Sequence, residues 1–551
     1  MEKWVITQSK RKDKTYVSVA IPAGFGKGYK KSIGIGNLET LKTLNLDPIN
    51  ALKVACADWN TEWNKEKILS KVKEVLAQSK KEIRKQNFGI KALYELCDKI
   101  NPFKLCEKSK SKNLLDIAKY IITSRIINQD SLIKMYQQKH LYDFNNDFKK
   151  STFYNSLDYV TNNKNEILKQ LNNSLTSNAS RDIEVLWYDS TTVYFESFAR
   201  KGLRYPGYSK DGKFKEDQIV IGMITDCNGI PFHFKIFKGN TADMNTFIPF
   251  ILEIRDIYNI KNVTIVADRG MSTNRNIRFL ESLNIDYILS YRLKSSTKQR
   301  KEYTINQNDY IRVNKDFKYK EIEFMSLWKN KRFNGHKRRQ IMTHSKKRAA
   351  KDFNDRMQLI EIFNKKQKNG RVIETDLIAA KKHKFFKKIG ATSYYQLDLE
   401  KISEDEQFDG YYVYETSRID LKPLDIVDLY QKQWQIENNF RNLKNCLKIR
   451  PMYVWSENHI EGYITLCFIS LVLLQYGLNI LNKYVKKQTK IDKNYSISNY
   501  VDAIKNAEKI QILIDNKIIN EYNIENTDNK KETMLYELIE QSIKNYNVIK
   551  L

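Results

Sequence analysis

The segment IEVLWYDSTTVYFES, residues 183–197, constrains the chain more than any other. Ile183, Val185 and Trp187 alternate with Leu186 and Tyr188, and Val193 and Phe195 continue the pattern, which predicts a β-strand. Asp189 stands inside it. A carboxylate within an apolar strand is costly unless it is paired or binds a cation. Two more strand-like runs follow, IVIGMITD and PFHFKIFKG, joined by Cys227-Asn228-Gly229-Ile230, and Asn-Gly is a strong hairpin signal. An amphipathic helix is predicted from Phe247 to Tyr258. NVTIVADRG then reads as a buried strand ending at a second acid, Asp268. Three strands of antiparallel type, a helix and a strand entering the same sheet predict an α/β fold.

A third acid lies in YQKQWQIENNFRNLK, Tyr430 to Lys444. Ile426, Leu429, Ile436, Phe440 and Leu443 recur near helical period, with Trp434 nearby. Pro423 suits a first turn, and Asp425 and Asp428 suit its positive end. On a continuous helix Tyr430, Gln433, Glu437, Arg441 and Lys444 share one stripe. Alone, that stripe also fits a solvated face with a Glu437–Arg441 pair. Beside two strand aspartates it gains another meaning. Asp189, Asp268 and Glu437 would repel one another without a cation. As hard oxygen donors they suit Mg²⁺ or Mn²⁺ rather than zinc. Two such ions about 4 Å apart serve in-line attack at a phosphodiester. No histidine base is then needed, and the chain has six histidines in all.

Lys plus Arg number 95 against 65 Asp plus Glu, a formal charge of +30. The excess points to a polyanion, most simply nucleic acid, and argues against a neutral sugar substrate despite the paired carboxylates. The richness in Lys, Asn, Ile and Tyr also fits an AT-rich genome, which raises lysine without any functional reason. Cys56, Cys97, Cys106, Cys227, Cys446 and Cys467 form no CxxC and read as thiols in a reducing compartment. GFGKGYKKS lacks the spacing of a phosphate-binding loop. The N-terminus has no signal peptide pattern. The apolar run Ile464–Leu481 approaches the length of a membrane span, but Thr465, Ser470, Gln475 and Asn479 interrupt it, and a buried core helix is expected instead.

Residues 1–40 alternate in β fashion, and 45–180 are mostly helical and strongly charged, as in VKEVLAQSKKEIRKQ. Residues 292–410 mix short strand-like pieces with dense basic clusters. Trp328, Phe333, Phe385 and Phe386 are interleaved there, which suits either stacking on exposed bases or a small core of the insert.

Together these residues resemble the DDE transposases of bacterial insertion sequences, in the branch marked by a Tyr-x2-Arg-x3-Glu-x6-Lys signature. Tyr430, Glu437 and Lys444 match that spacing, and Gln433 stands where the signature has arginine. Asp189 in WYDSTT and Asp268 in ADRGM match the two aspartates. GYSKDG, the run to GNTADMNT, LKIRPMYVW and HIEGYITLCFISLVL are also similar, so the likeness spans roughly residues 180–480. It implies an RNase H-like (retroviral integrase-like) catalytic core with a β-rich insertion, a helical N-terminal DNA-binding region and a helical C-terminal tail. The corresponding ranges are 1–180 for DNA binding, 181–292 for the first part of the core, 293–410 for the basic insertion, 411–485 for the second part of the core and 486–551 for the tail. It implies two Mg²⁺ or Mn²⁺ ions on Asp189, Asp268 and Glu437. Tyr430 and Lys444 would contact phosphate, Gln433 would donate a single uncharged hydrogen bond, and Arg441 would supply a cation in part. Trp328 would hold a flipped base. The implied activity is cutting at terminal inverted repeats and joining 3′-hydroxyls to target DNA. The implied partners are double-stranded DNA and a second copy in a synaptic homodimer, with no membrane, in the bacterial cytoplasm at the nucleoid. A non-catalytic DNA-binding descendant and an RNase H-like nuclease without strand transfer fit the same residues.

Overall fold

The computed structural model describes residues 3–545 apart from 12–13, 25, 46, 58, 60–62, 78–80, 143–147, 180, 210, 261, 327–334, 369–371, 374–384, 491–493, 515–516 and 525–529. The chain forms two compact units. The first comprises Met1–Ala92, Gln137–Asn145 and Ser498–Ile539, and the second Leu93–Tyr136, Asn146–Ile497 and Glu540–Leu551.

In the first unit, strands Val5–Arg11, Lys14–Pro22 and Tyr29–Asn37 form an antiparallel sheet. Val17, Val19 and Ile21 alternate inward to meet Leu52, Ile68 and Val72 from the helices Pro48–Ala57 and Lys65–Ala77. Two helical expectations fail in this unit. The helix predicted across VKEVLAQSKKEIRKQ stops at Ala77, and Lys81–Asn87 is a strand. The tail holds a hairpin, Glu508–Ile514 with Lys517–Asn523, besides its helices Ile497–Lys505 and Lys530–Lys544. Tertiary pairing decides both cases, because Glu508–Ile514 takes Lys81–Asn87 as its other antiparallel neighbour.

The second unit, from Leu93 onward, includes helices α1 (Lys112–Ile127), α2 (Leu132–Gln137), α3 (Lys150–Asn162) and α4 (Lys164–Ala179). Much of the helical part of the expected N-terminal region therefore belongs with the core. The sheet elements follow: β1 (Val185–Tyr194), β2 (Gln218–Thr225), β3 (Pro231–Lys238), α5 (Asp243–Tyr258), β4 (Thr264–Ala267), α6 (Asn274–Ser282) and β5 (Asp286–Ser290). After them come β6 (Ile311–Arg312), β7 (Phe317–Met325), β8 (Lys337–Ser345), α7 (Lys346–Lys368), β9 (Tyr411–Thr416), α8 (Pro423–Gln431), α9 (Trp434–Asn445) and α10 (Glu457–Thr489).

One nine-stranded sheet runs β6-β7-β8-β9-β5-β4-β1-β2-β3. β1, β2 and β3 form the antiparallel meander, and Gly229, at φ +73°, makes its Asn-Gly turn. β4 lies parallel to β1, and β5 parallel to β4. This is an RNase H-like α/β core. β2 is buried along its whole length, as a central strand covered on both faces must be. One face of the sheet packs Leu186, Tyr188, Ile265 and Ala267 against Phe247, Phe250 and Ile254 of α5 and Ile277 and Leu280 of α6.

The basic insertion does not stand apart as a β module. Its strands β7 and β8 continue the core sheet beyond β9, with Ile341 opposite Tyr414 and Arg339 opposite Thr416. The insertion also carries the 23-residue helix α7. Phe385 and Phe386 are buried with Phe363 and Tyr395 in a small core of their own, so the stacking role does not fall to them. The apolar run Ile464–Leu481 lies within α10. That helix is long and apolar enough to cross a membrane, yet 89% of its most apolar window is buried inside the protein.

Candidate active site

β1 builds the site. Within VLWYDSTTVY, Asp189 is the one residue of partial exposure between the buried triplets Leu186–Tyr188 and Ser190–Thr192. Side chains two apart share a face, so Asp189 lies on the side of Trp187. Trp187 Nε1 donates to the Leu429 carbonyl at the end of α8 (2.8 Å), which identifies that face as the one α8 covers. Tyr188 points the other way, and its hydroxyl meets Thr246 Oγ1 at 2.7 Å.

β4 supplies the second acid. Tyr188 pairs with Ala267 in the parallel register, so the next residues, Asp189 and Asp268, reach the same level of adjacent strands. Strands in a sheet are about 4.8 Å apart. Like charges held about 5 Å apart would repel by between about 1 and 3 kcal/mol, depending on how much water screens them. Asp268 Oδ1 accepts the Gly270 N–H (2.8 Å), which closes the turn after β4. A Cβ at position 270 would stand 2.9 Å from Asp268 Oδ1, so a side chain there would displace the carboxylate from this position. Tyr188, beneath the pair, has its hydroxyl pushed up by burial, and the charges of Asp189, Asp243 and Asp268 add to the effect.

The helix expected over Tyr430–Lys444 is two helices. Lys432 and Gln433 form a tightened turn, in which the Gln433 N–H donates to the Tyr430 carbonyl (3.0 Å) and the Gln435 N–H to the Lys432 carbonyl (2.9 Å). The five-residue stripe is therefore broken. Gln433 turns inward, is 7% exposed, and donates from Nε2 to the Tyr188 carbonyl (3.1 Å), while its Oε1 is buried without a partner. It anchors α9 on β1 rather than facing solvent. Asn439 adds a second anchor, donating to the Gly229 carbonyl (2.7 Å) and accepting from Gln475 of α10 (2.8 Å).

Glu437 and Arg441 remain on the exposed side of α9, with Trp434 one turn earlier at 60% exposure. Among the described residues no three His, Cys, Asp or Glu side chains are gathered closely enough to hold a metal ion. The two aspartates, at one level, fit half of a hard-cation site, and Glu437 lies on the helix anchored above them.

Tyr430 sits on α8 in a cluster with Tyr412 and Tyr414 of β9, and its hydroxyl accepts from Tyr412 (3.0 Å). Burial, then Tyr412, raises its pKa, and the Asp268 charge contributes, so this phenol belongs to the second aspartate's surroundings. Lys444 contacts both carboxylate oxygens of Asp211 at 3.3 Å, and Arg450 pairs with the same carboxylate. Burial pushes the Asp211 carboxyl up, but Arg450 and Lys444 outweigh it and hold it below its usual range. Asp211→Asn is expected to free both cations. DNA affinity at low salt should then rise several-fold, with a salt slope steeper by about 1, measured by fluorescence anisotropy across a salt series. Trp328 lies outside the described residues.

Four groups carried no signal strong enough to single them out beforehand. Asp243, in GNTADMNT, accepts from Ser190 Oγ at 2.9 Å. Arg269 and Arg292 border Asp268 in a cleft of about 630 Å³ that also takes in Arg348 and Tyr412. Arg292 donates to the carbonyls of Arg269 (3.2 Å) and Gly270 (3.3 Å) and so props the Asp268 turn. In the sequence Trp434 lies only near the apolar residues of the helix period, and the structure shows that it faces water. Arg269 directly follows Asp268, and that adjacency was the available clue. A cleft with Asp268 at one end and Arg269 beside it can hold a phosphodiester next to the acid, and Arg348, farther along, is paired with Asp352 of the same cleft (3.0 and 3.2 Å).

A family model described as the transposase DDE domain matches residues 180–473, more than half of the chain. No curated protein matches. Two solved structures are similar at low identity. A cryo-EM structure of the piggyBac transposase synaptic complex with hairpin DNA shares 9% identity over 76% of this chain and 80% of that chain, with a TM-score of 0.35. A Mos1 transposase paired-end complex with the left transposon end shares 11% over 29% and 53%, with a TM-score of 0.15. Scores this low carry no structural argument. The matched span, 180–473, contains β1 with Asp189, the β4 turn with Asp268 and helix α9 with Glu437, and the chain belongs to the transposase DDE domain family.

Proposed function

We propose that this DDE transposase serves a bacterial insertion sequence, binding its terminal inverted repeats, cutting at the ends and joining the 3′-hydroxyls to target DNA. The observation that supports this most is the register of β1 and β4, which brings Asp189 and Asp268 to one level beneath an anchored helix bearing Glu437. These three carboxylates would hold divalent cations, Mg²⁺ or Mn²⁺ and two per site, which when bound supply Lewis acidity at both the attacking and the leaving oxygen. The protein's own part is positioning. Arg269 lines the cleft beside Asp268 and suits the scissile strand's phosphates. Arg292 holds the Asp268 turn. Trp434, exposed beside Glu437, suits stacking on a base. Gln433 keeps α9 on the sheet, a role that needs an amide and not a charge. Two ends must be cut together, which calls for a dimer on DNA.

Glu437→Gln is expected to abolish cleavage of end DNA in Mg²⁺ while leaving DNA affinity within about two-fold, since one exposed charge on a helix adds little to binding. Full retention of cleavage would remove Glu437 from the site. A second reading, a DNA-binding descendant without chemistry, draws on the exposure of Glu437 outside any gathered triad. Binding of end DNA with no cleavage by the unaltered protein in Mn²⁺ would favour it. Cleavage without joining of pre-cut ends would instead mark a nuclease.

A further inference from the structure

Arg125, near the end of α1, is buried to 2% exposure. Its Nη1 donates to the Asp130 carbonyl (2.6 Å) and its Nη2 to the Tyr463 hydroxyl, over whose ring the guanidinium stands at 5.0 Å. Its Nε is buried with no partner. A guanidinium has five N–H donors, and the partners here, two oxygens and the Cys467 thiol, are all neutral. Among the described residues no carboxylate lies within ion-pair distance of Arg125, and the nearby Asp130 carboxylate is turned to Lys134 at 3.5 Å. A buried cation without a paired anion is costly.

Arg125 does not lie in a closed core. It lines a pocket of about 420 Å³ together with Lys134, Tyr154, Lys448, Arg450 and Tyr453. Lys448 is exposed, and Tyr453 is 57% exposed at the rim. Asp130 also lines it, so four cations stand against one acid, and the pocket is cationic on balance and aromatic at its edge. That pairing suits a phosphate with a base beside it. Its far wall, Lys448–Val454, is the segment that follows α9 directly. Arg450 of that segment shares Asp211 with Lys444 of α9, so the pocket continues from the helix that carries Glu437.

We propose that this pocket is a second DNA subsite, in which Arg125 takes one backbone phosphodiester and Tyr453 stacks on an adjacent base. The proposal rests on the DNA-cutting function above and adds a contact outside the carboxylate centre. An occupying phosphate would give Arg125 the anion it lacks.

The test uses the full chain, with Arg125→Lys, which keeps the charge and loses the planar fork, and the rim double variant Lys448→Gln with Tyr453→Ala, whose exposed positions leave folding intact. DNA binding is measured by anisotropy, with inorganic phosphate as competitor against chloride at equal ionic strength. The expected result is about ten-fold weaker DNA binding for each variant. Phosphate should compete with DNA beyond the chloride effect in the wild type and lose that advantage in Arg125→Lys. If Arg125→Lys does not fold, the rim variant must show both effects. DNA binding unchanged in the variants overturns the subsite. Thermal protection by phosphate together with unchanged DNA binding overturns it as well, and identifies a free-anion pocket instead. Failure of every form, wild type included, to bind DNA overturns the subsite together with the function on which it rests, whereas wild-type binding that the variants leave untouched overturns the subsite alone.

Discussion

Asp189→Asn is expected to lower DNA cleavage by on the order of 10³-fold or more while leaving the protein as stable as before or slightly more so. The two effects have one cause. Asp189 and Asp268 stand at one level of adjacent parallel strands, and like charges that close oppose folding when no cation is bound. Removing one charge relieves up to about 3 kcal/mol of repulsion, less whatever water screens, and the melting temperature in EDTA should rise by on the order of 1–3 °C. The same change removes a carboxylate that the chemistry needs. A divalent cation should therefore raise the melting temperature of the wild type more than that of the variant. Calorimetry in EDTA and in Mn²⁺, alongside a cleavage assay on end DNA, reads all of this. A variant that loses stability and keeps cleavage would mean that Asp189 is a structural residue of β1.

Arg338→Ala should produce the largest loss of stability in the catalytic unit, about 3–5 kcal/mol. Arg338 is 6% exposed on β8. It donates to both carboxylate oxygens of Glu281 on α6 (2.7 and 2.9 Å) and to Glu415 of β9 (3.0 Å). Gln340 completes Glu415 (2.6 Å), and the Tyr287 hydroxyl completes Glu281 (3.0 Å). Two buried carboxylates thus depend on one guanidinium that comes from the insertion. Truncating it leaves both buried charges without their cation. Replacing Arg338, Glu281 and Glu415 together with apolar residues of similar volume should cost far less, because desolvation offsets most of what such a network contributes. Urea unfolding followed by tryptophan fluorescence compares the single and triple variants. A single variant within about 1 kcal/mol of wild type would show that the network is relaxed by water.

The parts of the core that were legible in the sequence are those whose residues settle their own surroundings. β2 reads as an unbroken apolar run because both its faces are covered, and Asp189 and Asp268 stand out because an acid there needs a reason. The helix carrying Glu437 was legible as helix but not as two helices. Nothing local distinguishes Gln433 from the polar residues around it, and it turns inward because the Tyr188 carbonyl awaits a donor. The exposure of Trp434 was equally hidden. The merging of the insertion with the core sheet was invisible for a related reason. An alternating strand such as KEIEF shows that it pairs, but not with which neighbour. The tail hairpin failed in the same way, since the partner of Glu508–Ile514 lies at the other end of the chain.

That last pairing has a consequence for how the protein is made. Asn87 ends its strand by donating to the carbonyls of Ile504, Lys505 and Ala507, the last of them 420 residues away. During translation the strand Lys81–Asn87 leaves the ribosome long before its neighbour exists. At ordinary synthesis rates it waits on the order of tens of seconds, with its edge open, while the whole catalytic core emerges and folds. Its charged sequence, KEIRKQN, is the kind that keeps an open edge from pairing with another chain in the meantime. The stitch between the two ends is then the final step of assembly, and a chain whose synthesis stops short of Glu508 leaves the first unit unclosed, whatever the state of its catalytic core.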